Sequence, residues 1–179
     1  QGQHHWQNAL ILMAVLQSVD FSLDIARAVL QSFQGLPHRC ELVSSKNGVS
    51  WYNDSKATNE SSAIAAIKSI APFCQGSVIL IAGGDAKGAL LSDLQSVVAA
   101  EVDHVIVLGK DQELLCGLMS PVSNVFRVAC LDEAVERANL LAEKGDVVLL
   151  SPACSSLDMF RNYQHRGDEF TRCVQELEA

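Results

Sequence analysis

The sequence predicts an α/β fold: a Rossmann-like, doubly wound, mostly parallel sheet with an N-terminal β-hairpin, preceded by a short helical piece. Three observations predict it. From residue 59 onward, helical stretches alternate with short apolar runs, and such alternation builds a parallel sheet through right-handed crossovers. The runs Ser77–Ala82, His104–Leu108, Asn124–Val128 and Val147–Leu150 lack strict alternation, as strands covered on both faces do. Asn47-Gly48 stands between two further apolar runs, and Asn-Gly suits the positive φ angles of a tight hairpin turn.

Taken in order, Ala9 to Leu16 is almost wholly apolar after Gln7-Asn8 and reads as a buried helix. Ser22 to Phe33 carries apolar residues at helical spacing, with Ser22 placed to cap it. Gly35-Leu36-Pro37 then breaks the chain. Residues 1–36 are therefore expected to belong to a different domain from residues 37–179. The hairpin arms are Glu41–Val43 and Val49–Tyr52. Helices are expected at Ser61–Ile70, Leu91–Ala100, Gln112–Met119, Leu131–Glu143 and Gly167–Leu177. There is no internal repeat and no low-complexity tract.

Bulk properties narrow the function. The 179 residues suffice for one domain plus an appendage, and 49% hydrophobic with 19% charged is a globular composition. A net charge of -8 argues against general nucleic-acid binding. No apolar run approaches the roughly 20 residues that span a bilayer, and the first residues lack the segments of a signal peptide. A cytoplasmic protein with no membrane contact is expected. The chain lacks an initiator Met, which suggests a piece of something longer. Its six cysteines include no Cys-x-x-Cys pair and no His at zinc-ligand spacing, so reduced, mostly buried thiols are expected and no metal site.

Three polar loops each follow an apolar run: Asn53-Asp54-Ser55-Lys56-Ala57-Thr58-Asn59, Gly83-Gly84-Asp85-Ala86-Lys87-Gly88, and Ser151-Pro152-Ala153-Cys154-Ser155-Ser156. In an open parallel sheet, loops leaving the carboxyl ends of strands lie on one edge. The three should converge on a crevice with two ammonium groups, several hydroxyls and free helix amino termini, a place for carboxylate or phosphate. Each loop also has a plainer reading. Asx and Ser/Thr favour turns and caps, although neither requires Lys56. The second loop matches neither Gly-x-x-x-x-Gly-Lys-Ser/Thr nor Gly-x-Gly-x-x-Gly, so Lys87 could sit on a simple turn. In the third, a helix is expected to start near Leu157, giving Ser156 an anion-facing position or a mere capping role. Cys154 has no His or basic partner nearby in sequence and reads as an inert thiol. Arg39 could clamp a phosphate or pair with an acid. His38 reads as structural, and Arg161, Arg166 and Arg172 as a solvated helix face.

Together these islands resemble the Mur ligases of peptidoglycan synthesis. The resemblance runs, in order, through Gly2-Gln3-His4, Asn8, Gly35-Leu36-Pro37-His38-Arg39, the Asn53–Asn59 run, Gly83-Gly84-Asp85-x-Lys87, the stretch Leu150 to Asp158, and Arg166-Gly167-x-x-Phe170. The Asn53–Asn59 run is most similar to members that add D-glutamate to UDP-N-acetylmuramoyl-L-alanine, and argues against a sister Mur or folylpolyglutamate-type ligase. The missing Gly-x-Gly-x-x-Gly argues against a non-catalytic dinucleotide module. The resemblance implies that residues 1–36 are the tail of a central ATP-binding domain and that residues 37–179 are the C-terminal amino-acid-binding domain. The phosphate loop and most Mg2+ ligands would lie upstream, outside this chain. ATP would convert the L-alanyl carboxylate to an acyl phosphate, which the D-glutamate amine attacks. Thr58, Lys87, Ser156 and Tyr163 would hold the D-glutamate carboxylates. Lys56 would act at the phosphate region as the catalytic cation. Asn8, Arg39 and Asp54 would contact the base, phosphates and ribose of ATP, in a monomeric enzyme. His5 and Tyr163 depart from the pattern, which more often has Asn and Phe there.

Overall fold

The computed structural model describes residues 3–33 and 35–177. The chain divides into two compact units, Gln1–Leu36 and Pro37–Ala179. Gly2 lies outside the described residues, as do the side chains of His4 and His5. The first unit holds α1 (Gln3–Ser18) and α2 (Leu23–Ser32). Ser22 precedes α2 in extended backbone, but its hydroxyl makes no capping bond. The helix expected over Ala9–Leu16 forms, but it is not buried: Leu10 and Ile11 are 69% and 63% exposed. An apolar run specifies a helix locally, whereas burial needs a facing surface.

The second unit begins with the hairpin of β1 (Glu41–Lys46) and β2 (Val49–Asn53). Lys46 pairs with Val49 across the two-residue turn, and Asn47 and Gly48 both take positive φ, 56° and 82°, as the turn requires. Then follow α3 (Glu60–Ile70), β3 (Val78–Gly83), α4 (Ser92–Glu101), β4 (His104–Leu108), α5 (Gln112–Met119), β5 (Asn124–Arg127), α6 (Leu131–Leu141), β6 (Val147–Leu150) and α7 (Tyr163–Glu176). The sheet order is β1-β2-β6-β3-β4-β5. Every pairing after the hairpin is parallel.

Both faces of the central strands are covered, which is why β3, β4 and β6 read as continuous apolar runs. Val78, Leu80 and Ala82 pack with α3, α4 and α5. Ile79 and Ile81 pack on the other side with α6 and α7. All six residues of β3 are buried. Each fully buried Leu, Ile or Phe stabilises by about 1.5–3 kcal/mol. Phe170 on α7 is fully buried against Trp51 of β2.

The connectivity positions the site. The chain runs outward from β3 to β4 and β5, then returns along α6 to insert β6 between β2 and β3. Asn53, Leu150 and Ile81 lie in register across these three strands. A crevice opens outside the carboxyl ends of strands where the direction of winding reverses.

Two expected helix starts are corrected. No helix starts near Leu157. Residues 151–162 are irregular apart from a turn in which the Phe160 amide donates to the Ser156 carbonyl, 2.8 Å. α7 begins at Tyr163, four residues before the expected Gly167, because the Asn162 side chain accepts from the His165 amide at 2.8 Å and caps it.

Candidate functional site

The three loops meet, as their positions after the strands required. The Asp54 amide donates to the Leu150 carbonyl (2.8 Å), the Ser151 amide to Ile81 (3.2 Å) and the Gly83 amide to Pro152 (2.9 Å). Asp85 and Ser155 exchange two backbone bonds of 3.0 and 2.9 Å. The approach is tight enough to require glycine at 84. Its φ is +128°, and a Cβ there would stand 2.1 Å from the Ser155 carbonyl oxygen.

A fourth loop, Gly109-Lys110-Asp111 after β4, completes the cluster. The Asp111 amide donates to Gly84 (3.0 Å) and its carboxylate accepts from the Ala86 amide (2.7 Å). Sequence reasoning missed it, although a Gly-Lys-Asp triplet following an apolar run was the same signal that marked the other three.

Arg166 corrects a further expectation. It does not lie on a solvated face; it is 2% exposed. Its guanidinium donates to the Ser55 hydroxyl (3.0 Å), the Ser55 carbonyl (2.9 Å), the Cys154 carbonyl (3.2 Å) and the Gly83 carbonyl (3.4 Å). One side chain from α7 thus ties together all three polar loops. Burial pushes it down to about 10, so it remains charged at neutral pH. Its hydrogen-bond acceptors are all neutral oxygens, and its charge is felt by the nearby Asp158 carboxylate. Helical spacing places Arg166 on α7 but does not say which face meets the sheet.

Asp54 is buried, with one carboxylate oxygen accepting from Ser151 Oγ (2.8 Å) and the other from the Cys40 amide (3.2 Å). Burial raises it from 3.8 to about 6, with the bond from Ser151 the largest opposing influence. Lys56 is half-buried, with its ammonium 4.1 Å from the centre of the Tyr163 ring, a cation–π contact. The Tyr163 carbonyl accepts from Ser55 Oγ at 2.8 Å, so the first loop and the start of α7 are joined. Thr58 is half-buried in the same loop. The helix amino terminus there is not free, because Asn59 caps the Ser62 amide at 3.0 Å.

Lys87 is exposed on the second loop at φ 52°, its amide held by Asp85 Oδ1 at 2.8 Å. Ser156 is 3% exposed, and no partner for its hydroxyl occurs among the described residues. Arg39 is exposed just ahead of β1, and Asn8 is exposed on α1 of the first unit. His38 is structural: its ring nitrogen lies 3.1 Å from Asn53 Nδ2 and its amide is held by Glu41. Cys154 is fully buried, which pushes its thiol up to about 12 and leaves it inert. All six cysteines are free thiols. Among the described residues no group of three or more His, Cys, Asp or Glu could hold a metal, and no helix is long and apolar enough to cross a membrane.

Asp54 has a testable consequence for pH. Its folded value lies above its unfolded one, so ionisation costs the fold stability. The contribution is most favourable below 3.8, falls as pH rises towards about 6, and stays low above that. That rise corresponds to about 3 kcal/mol at most. Asp54→Asn in the isolated chain should therefore melt higher than wild type at neutral pH, and the difference should shrink on acidification. Thermal melts between pH 4 and 7.5 check this; a difference that does not vary with pH would count against the assignment.

The Mur ligase glutamate ligase domain matches residues 38–154, the hairpin through the third loop. The chain belongs to the Mur ligase family. It is 46% identical to the UDP-N-acetylmuramoylalanine–D-glutamate ligase of Pseudomonas fluorescens over 99% of its own length, and 44% identical to that of Legionella pneumophila, also over 99%. It spans about 40% of the length of these curated relatives. Among solved structures it is similar to the UDP-N-acetylmuramate–alanine ligase of Thermotoga maritima, with TM-score 0.72 and 15% identity over 99% of this chain and 39% of that one. It is also similar to the bifunctional folylpolyglutamate synthase/dihydrofolate synthase of Yersinia pestis, with TM-score 0.63 and 19% identity over 89% of this chain and 35% of that one. At such identities the likeness concerns the fold. In this Mur ligase domain, the loop cluster lies at the switch point where α/β sheets take their ligands.

Proposed function

We propose that the full-length protein is the ATP-dependent ligase that adds D-glutamate to UDP-N-acetylmuramoyl-L-alanine in peptidoglycan synthesis. The observation that carries this reading is the meeting of the Asn53–Asn59, Gly83–Gly88 and Ser151–Ser156 loops at one sheet edge. They offer an ammonium and hydroxyls to a small dicarboxylate in a chain of net charge -8. The name and 46% identity of the Pseudomonas relative support it. Residues 1–36 would be the tail of the central ATP-binding domain, and residues 37–179 the C-terminal amino-acid-binding domain. The enzyme would be a cytoplasmic monomer.

In this reading ATP transfers its terminal phosphoryl group to the L-alanyl carboxylate, giving an acyl phosphate and ADP. The D-glutamate amine attacks the acyl carbon, the carbon–oxygen bond to phosphate breaks, and the amine proton is lost. This domain contributes orientation. Lys87, Thr58, Ser156 and Tyr163 hold the two carboxylates so that the amine faces the acyl carbon, a positioning effect that lowers the barrier by converting an encounter into a fixed approach. Lys56, steadied on the Tyr163 ring, supplies positive charge to the phosphate region. Arg39 meets the ATP phosphates, Asp54 the ribose and Asn8 the base. As the family resemblance implies, Mg2+ would be held mostly by residues outside this chain.

The deciding experiment gives full-length enzyme UDP-N-acetylmuramoyl-L-alanine, ATP and a panel of amino acids. Product and phosphate should form with D-glutamate and not with L-lysine, diaminopimelate or L-glutamate; preference for another member of the panel would overturn the assignment. The 179-residue chain, assayed alone with all substrates, should fold and release no phosphate.

A further inference from the structure

We propose that Lys110 is a positioning residue for substrate binding: by occupying the outer oxygen of Asp85, it keeps the Lys87 ammonium available to the incoming carboxylate. The inference rests on reading the loop cluster as a D-glutamate site.

The motive is a competition built into the second loop. Asp85 and Lys87 are two residues apart and opposite in charge, on the same turn, with Asp85 half-buried and Lys87 exposed. Left to themselves they would pair, and Lys87 would be lost to the ligand. The Asp85 carboxylate does not leave by protonation; the Lys87 amide and then Lys110 hold it below the usual carboxylate range. Both its oxygens are instead engaged. Oδ1 accepts from the Lys87 amide at 2.8 Å, and Oδ2 accepts from Lys110 Nζ at 3.1 Å. No hydrogen bond or ion pair to the Lys87 ammonium occurs among the described residues.

The surroundings fix this arrangement. The Asp85 backbone is bonded twice to Ser155, which sets where its carboxylate points. The Lys110 amide donates to Asp158 Oδ2 at 2.8 Å. The preceding Gly109 has φ +88°, and a Cβ on it would lie 2.7 Å from Gly84 Cα and from the Asp158 carboxylate. The fourth loop is therefore pressed on the second, and Lys110 reaches Asp85 from a held backbone. Its side chain is 61% exposed, so the pair contributes little to stability. Its effect is on which cation Asp85 takes.

The test uses the full-length enzyme with Lys110→Met, Lys110→Arg, Lys110→Met combined with Asp85→Asn, and Lys87→Ala as reference. Lys110→Met should raise KM for D-glutamate about three- to tenfold, as one exposed charge interaction is worth. KM for ATP and kcat should move less than about twofold. Arginine should regain most of the loss. So should the double variant, since asparagine's carbonyl still accepts from the Lys87 amide but carries no charge to draw in the Lys87 ammonium. The penalty should shrink in high salt, which screens exposed charges; a purely structural role would respond neither to salt nor to the second substitution. An unchanged KM in Lys110→Met, or no recovery in the double variant, overturns the proposal while Lys87→Ala stays impaired. A Lys87→Ala enzyme with normal D-glutamate use would instead sink the site reading, and this inference with it.

Discussion

Arg166→Met is expected to lower kcat/KM for D-glutamate by about 100-fold in the full-length enzyme, the cost of misplacing a binding group by about 1 Å. The stability effect should be smaller, because two terms oppose. Removing the guanidinium strands the carbonyls of Ser55, Gly83 and Cys154, and a buried unmet group costs about 1–3 kcal/mol. Against this, the charge no longer has to be buried. Its depression to about 10 represents about 3 kcal/mol of relief. The net loss should be about 2 kcal/mol, a fall in Tm of about 5 °C. Lysine keeps the charge but not the fork, and should restore only part of the activity. Melting curves and substrate kinetics on the same preparations decide the matter. Wild-type D-glutamate kinetics in a folded Arg166→Met enzyme would remove Arg166 from any positioning role.

Lys87→Ala should raise KM for D-glutamate at least about tenfold and leave KM for ATP within about twofold. A charge-assisted hydrogen bond to a carboxylate is worth about 1.5–3 kcal/mol, and Lys87 stands exposed on a loop whose backbone is held by Asp85 and the fourth loop. Ser156→Ala removes a neutral bond of about 0.5–1.5 kcal/mol and should cost less. Initial-rate kinetics with each substrate varied in turn separate these effects. A Lys87→Ala enzyme with both KM for D-glutamate and kcat intact would rule Lys87 out as a carboxylate ligand.

Local chemistry was enough for most of the fold. Apolar runs without alternation marked β3, β4 and β6, because strands buried on both faces have no polar side to display, while the edge strand β5 has no fully buried residue. Asn47-Gly48 marked the hairpin, because few other residues take two successive positive φ angles. The polar loops could be located for a similar reason: each directly follows a strand, and strand ends in a parallel sheet share one edge. Boundaries failed where a side chain from outside the periodic run decided them, as Asn162 does for α7.

What long-range contacts alone settled is of another kind. The burial of Arg166 depends on three carbonyls and a hydroxyl contributed by residues 12 to 111 positions away. No spacing within α7 encodes them. The fourth loop gains its meaning from the insertion of β6 between β2 and β3, which places the second loop with the third on one side and the loop after β4 on the other. The exposed apolar face of α1 makes the same point in reverse: its residues specify a helix, but whether they are buried is decided by the surface that meets them. Periodicity and turn chemistry are properties of a few neighbouring residues and can be read from them. Burial, ionisation and the choice of hydrogen-bond partner are properties of the whole packed domain, because they depend on what the rest of the chain brings alongside.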